Sequence, residues 1–168
     1  LFSPAFPIGG FSYSGGLESA INMGLIKDRN SLQDWIFFVL TQGGGRNDAL
    51  FIKEAYHGKD SNALCLSLAA GKERHQEMIE LGAAFTRIVN SSYGLALPDG
   101  LAYPISVGVA ASQFNLDLGL TIQSYLQSFA SNLISVAVRS IPIGQTAGQT
   151  CLFNLIPAFI NVKDEVIV

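Results

Sequence analysis

A chain of 168 residues, 49% apolar and only 14% charged, is long enough for one real core and should bury roughly 70% of the surface its unfolded form exposes. Its net charge of -3 and lack of a basic run argue against a sequence-independent nucleic-acid binder, which needs clustered Lys and Arg against phosphates. Mean hydropathy is +0.35, yet Ser, Gln, Asn or Gly interrupts every apolar window short of the ~18 residues of a membrane span. No leader with a basic start and apolar centre is visible, and the isolated Cys65 and Cys151 suit a reducing, cytoplasmic setting better than a disulfide framework.

In chain order, residues 3–18, SPAFPIGGFSYSGGLE, come first, with two prolines, four glycines, three serines, three aromatics and one charge. That pattern is too broken for a helix and reads as a turn-rich strap. Leu32, Trp35, Ile36, Val39 and Leu40 then recur at helical spacing behind Asn30 and Ser31 as candidate N-caps, and Gly43 to Gly45 ends the pattern. A second helix is expected from about Asp48 to His57, and a short third from Asp60 or Ser61 through Leu68. From Lys72 to Ile88, Met78, Leu81, Phe85 and Ile88 form one stripe, with Lys72, Glu73, Arg74, Gln76, Glu77 and Glu80 mostly off it. Ser91 to Tyr103 reads as a connection, and a small-residue helix follows Pro104.

The longest candidate is Leu118 to about Ser140. Its apolar face runs through Ile122, Tyr125, Leu126, Phe129, Leu133 and Val136, and Thr121, Ser124, Ser128, Ser131 and Ser135 make a second, uncharged stripe. Such a helix is expected to be central. Pro142 ends it, and GQTAGQTCLFNLI restarts a helix that Pro157 limits or kinks. No alternation of period two runs along the chain, and VKDEVIV is too short to define a sheet. The expected fold is all-α, a single globular domain over 1–168 of about seven to ten packed helices with a Pro/Gly-rich N-terminal strap.

Familiar catalytic patterns fail on spacing. Neither GGFSYSGG nor GGGRND carries the Gly-Lys-Ser/Thr ending of a phosphate loop, and Gly10-Phe11-Ser12-Tyr13-Ser14 misses a nucleophile elbow by one residue. His57, Cys65, His75 and Cys151 are not spaced to clip a metal locally, and no metal ligand is assigned. Glu73 and Glu77, at i and i+4, resemble a pair of catalytic acids. Their plainer reading is a solvated face supported by Lys72 and Arg74. An enzyme with an unrecognised site around Glu73, His75 and Glu77 stays as an alternative.

The punctuated segments carry a resemblance. SPAFPIGGFSYSGGLE resembles the signature of the UreF family of urease accessory proteins, with every fixed position present. RSIPIGQTAGQ, residues 139–149, is similar to that family's basic-x-x-Pro-hydrophobic-Gly-Gln segment after a long helix. YPISVGVAA and KERHQEMIELG resemble two further stretches, in the same order. Family members usually begin earlier and extend further, so the chain is expected to be a core fragment.

The resemblance implies an all-α, cytoplasmic chaperone rather than an enzyme. It would join a UreD/UreH-type accessory protein and the GTPase UreG on apo-urease, as a dimer, and couple GTP hydrolysis to nickel insertion. Nickel and GTP would be handled by partners, with no cofactor bound directly, and a scaffold with no effect on GTP hydrolysis is the blander option. The expected docking residues are Tyr13, Ser14 and Glu18 in the strap and Arg139, Gln145 and Gln149 in the second motif. Arg139 is favoured as an interface residue over an arginine finger. Pro4, Pro7, Gly9, Phe11, Gly16, Tyr103, Pro104, Pro142 and Gly144 are expected to shape the backbone, with Phe6, Phe11 and Leu17 anchoring the strap.

Overall fold

A computed structural model describes residues 1–3, 6–10 and 13–168, so Pro4 and Phe11 of the expected strap lie outside the described residues. Among the described residues nine helices form and no strand does. They are α1 (Leu17–Asn22), α2 (Arg29–Gln42), α3 (Gly44–Tyr56), α4 (Asn62–Ser67), α5 (Lys72–Tyr93), α6 (Tyr103–Gln113), α7 (Leu118–Ser140), α8 (Gly144–Asn154) and α9 (Ile156–Ile167). No helix among these residues is long and apolar enough to cross a membrane.

The ends of these helices have local causes. α2 is capped not by Asn30 or Ser31 but by Asp28, whose carboxylate accepts from the Ser31 N–H at 2.9 Å while the Ser31 hydroxyl accepts from the Asp28 N–H at 3.1 Å. This reciprocal box satisfies two otherwise orphaned donors. Gly43 to Gly45 does more than end α2. Gly43 caps it and α3 starts at once, because a Cβ at Gly45 would stand 2.9 Å from the Leu40 Cα. Glycine here makes a corner between two helices. α5 runs past Ile88 and absorbs Ser91 to Tyr93, stopping where Gly94 takes a left-handed φ of 73°. Asp117 caps α7 by accepting from the Leu120 N–H at 2.7 Å. Pro157 sits in the first turn of α9, where its missing N–H costs nothing, and VKDEVIV continues that helix.

Packing follows from the stripes. α7 touches α1, α2, α3, α6, α8 and α9 and is the central helix its uncharged second stripe predicts. α6 lies against α3 and α5, and residues 102–108 are all buried. The approach is close enough that a Cβ on Gly108 would stand 2.4 Å from the Ile52 carbonyl oxygen, and one on Gly82 2.0 Å from that of Leu101. The small residues of α6 are therefore consumed inside the chain. Cys151 belongs to the main core, and Cys65 to a satellite cluster with Phe51, Ala55, Met78, Ala102 and Ile105.

Strap and core meet through Phe6, whose ring lies 5.5 Å from Phe85 and 6.3 Å from Tyr93, and through Leu17, fully buried at the start of α1. Gly16 precedes Leu17 with φ 84°, a left-handed turn that favours glycine. Pro7 is exposed and Gly9 has φ 76°.

Candidate functional site: a cleft between the strap, α3, α5 and α7

The strap, the α2–α3 corner, the α4–α5 connection and the middle of α7 enclose a cleft of about 940 Å³. Its floor holds charge. Asp48 on α3 pairs with Arg74 on α5 and accepts a hydrogen bond from the Tyr125 hydroxyl of α7 at 2.7 Å. The second arm of the guanidinium reaches Glu77 at 2.8 Å, and its plane lies 5.9 Å from the centre of the Phe129 ring. Tyr103 packs 5.5 Å from Tyr125 and 5.7 Å from Phe85, so an aromatic wall backs the ion pair.

Electrostatics follow the geometry. Burial works against the charge on Arg74, but Asp48, Tyr125 and Glu77 hold it, and its pKa rises well above the ordinary arginine range. Burial, reinforced by Asp48, raises the hydroxyls of Tyr125 and Tyr103. Glu77 is also raised, by burial first; the charge and hydrogen bond of Arg74 oppose the rise, and Asp48 adds the smallest part. An acid raised on folding holds its proton more tightly in the native state, so its contribution to stability is full below the unfolded pKa and falls as pH rises through the folded one. Glu77→Gln is expected to flatten that decline in a series of urea melts from pH 4 to 7; an unchanged slope would place the pH dependence elsewhere.

At the mouth, the Tyr13 hydroxyl donates to the Glu80 carboxylate, which also accepts from the Gln76 amide. That bond is the main reason the Tyr13 pKa is pushed up to about 12, with burial next. The bonds from Gln76 and then Tyr13 lower Glu80.

Sequence reading and structure part company over the paired acids. Glu73 is exposed, as a solvated face requires, but the Glu77 side chain keeps 12% exposure and faces the buried pair. His75 is exposed and does not line the cleft, so Glu73, His75 and Glu77 do not converge. Among the described residues no group of His, Cys, Asp and Glu is placed to hold a metal ion.

Tyr13, Ser14 and Glu18 all line the cleft. The residues of the second motif do not. Arg139 is exposed in the last turn of α7, and Gln145 and Gln149 are exposed one turn apart on α8. Exposed Pro142 and Gly144, with φ 72°, form the corner between the helices. Gly148 closes it, since a Cβ there would meet the Ile134 and Val138 methyls at 2.9 and 3.0 Å. Tyr103 and Pro104 are buried at the start of α6. The expected docking residues thus form two groups.

Asp48 and Tyr125 were not marked as site residues by sequence. A signal existed: Asp48 interrupts the buried face of α3 just before Ala49, Phe51 and Ile52. Arg74, set with the residues mostly off the apolar stripe of α5, falls on it instead, at i-4 and i-7 from Met78 and Leu81, with a side chain only 18% exposed. Charges on such faces need buried partners.

Comparison with known proteins first gives a class: accessory proteins of urease, not urease itself. The "Urease accessory protein UreF" of Roseobacter denitrificans is 39% identical over 160 residues, covering 92% of this chain and 72% of that protein. Proteins of the same description from Ruegeria pomeroyi and Cereibacter sphaeroides are 41% and 43% identical, each over 97% of this chain and over 77% and 79% of their own lengths. A family model for UreF matches residues 26–156. The chain belongs to the UreF family.

Proposed function

We propose that this chain is the adaptor of a urease-maturation complex. It binds a UreD/UreH-type accessory protein and the GTPase UreG on apo-urease and couples GTP hydrolysis to insertion of nickel, which is cargo. GTP stays with UreG, and the adaptor works in the cytoplasm as a homodimer, apart from nucleic acid and membrane. The observation that carries the reading is the placement of Tyr13, Ser14 and Glu18 of the signature strap at the mouth of a cleft large enough for a partner segment. Arg139, Gln145 and Gln149 form a second exposed contact on the α7–α8 corner.

Size-exclusion chromatography with light scattering tests this on the chain mixed with the UreD-type protein, then with UreG and GTP. A stoichiometric complex is expected, lost on Tyr13→Ala with Glu18→Lys or on Arg139→Ala, while circular dichroism and melting temperature hold. Glu18 and Arg139 are exposed, where substitutions usually change stability by only about 0.5 kcal/mol. Tyr13 is half-buried against the core, so its alanine variant is judged beside Tyr13→Phe, which keeps the ring and removes only the bond to Glu80. A chain that stays alone in every mixture, or variants that lose folding and binding together, would sink the reading.

A further inference from the structure

The cleft floor carries more negative charge than the chain itself neutralises. Its lining holds four carboxylates, Glu18, Asp48, Glu73 and Glu77, against two cations, Lys72 and Arg74. Asp48 is satisfied by Arg74 and Tyr125, and Glu77 shares the same guanidinium. Two carboxylates, Asp48 and Glu77, thus share a single guanidinium at the buried floor, which suits a second cation where low polarity makes shared compensation costly. The walls are apolar, from Val39, Phe51, Met78, Phe129 and Leu133, with Leu68 58% exposed at the edge.

We propose that the cleft receives a segment of a partner protein that carries apolar side chains and a lysine or arginine, the cation pairing with Glu77. The apolar residues of the segment cover the walls, and its cation supplies the missing charge. An acidic segment would add repulsion to desolvation, and a purely apolar one would bury Glu77 further without compensation. The volume admits several residues. This inference rests on the adaptor reading and names the chemistry of the segment that docks.

A fluorescein-labelled peptide alternating leucine and lysine, and its counterpart with glutamate for lysine, are titrated by anisotropy against the chain and its Glu77→Gln variant. The lysine peptide is expected to bind and the glutamate peptide not, with Glu77→Gln weakening the former by about tenfold or more, as loss of one desolvated charge partner does. Equal binding of both peptides, or equal affinity of wild type and Glu77→Gln, overturns the inference. If Glu77→Gln fails to fold, Glu73→Lys on the exposed rim takes its place: weakened lysine-peptide binding supports the inference and unchanged binding overturns it. Partner complexes that form while the lysine peptide fails to bind leave the adaptor role standing and remove only this inference. Peptide binding that persists without any partner complex removes the adaptor role alone.

Discussion

Arg74→Ala is expected to lower the free energy of unfolding by about 3–5 kcal/mol, because it strands a buried carboxylate rather than merely deleting a contact. Asp48 keeps 3% side-chain exposure and Arg74 18%, so water screens neither well. Without the guanidinium, Asp48 retains only the Tyr125 hydroxyl, and Glu77 faces it with no cation between them. Urea unfolding followed by circular dichroism at pH 7 gives the number. A loss below about 1 kcal/mol would mean that the pair behaves like a surface ion pair. Replacing Asp48, Arg74 and Glu77 together by apolar or neutral residues of similar volume is expected to restore much of the loss, since the cost lies in the unpaired charge.

Alanine at Gly108 or Gly82 is expected to be at least as damaging, although alanine is the better helix former by about 1 kcal/mol. At Gly108 the new methyl would stand 2.4 Å from the Ile52 oxygen and 2.8 Å from the Ala55 Cβ. At Gly82 it would stand 2.0 Å from the Leu101 oxygen and 2.9 Å from the Tyr103 nitrogen. These are mostly backbone atoms of α3 and of the entry to α6, so no side chain can turn away and the helices must separate. Overpacking of a core commonly costs about 1–3 kcal/mol, and a clash with backbone belongs at or beyond the top of that range. Gly44→Ala is the control, with nothing within 4 Å of its Cβ position. Thermal melts should show the two interior variants far below wild type and Gly44→Ala close to it; three similar values would mean that α6 adjusts freely.

Helices were most legible where one residue both signals and causes an end. Pro142 follows the end of α7, whose predicted span from Leu118 to about Ser140 is the observed one, although the Asp117 cap at its start was not read. Glycine was the harder residue to read. Gly43 to Gly45 looks like a stop by propensity, yet the close approach of Gly45 to Leu40 makes it a corner from which α3 starts directly. Ser91 to Tyr93 reads as part of a connection to Tyr103 marked by Pro98, Asp99 and Gly100, but α5 continues until Gly94 supplies a left-handed cap. The strap and the second motif were legible as punctuated segments, and nothing in their spacing told that one borders the cleft while the other sits on the α7–α8 corner. The floor of the cleft was the least legible part. Asp48 is 26 residues from Arg74 and 77 from Tyr125, so no local spacing joins them, and their meeting depends on how α3, α5 and α7 pack.

The two cysteines give the chain an internal clock of its own opening. Cys65 keeps 1% exposure and Cys151 none, and burial pushes their thiols up to about 12 and about 11. The thiolate is the reactive form, so with both residues buried and both thiols raised, alkylation at neutral pH is expected to be slow while the helices are closed. Cys65 lies in the satellite cluster beside the cleft and Cys151 in the main core. Labelling at the first therefore dates the local parting of α3, α4, α5 and α6, and labelling at the second dates the loss of the main core, two events told apart by the masses of the two cysteine peptides after digestion of a single sample.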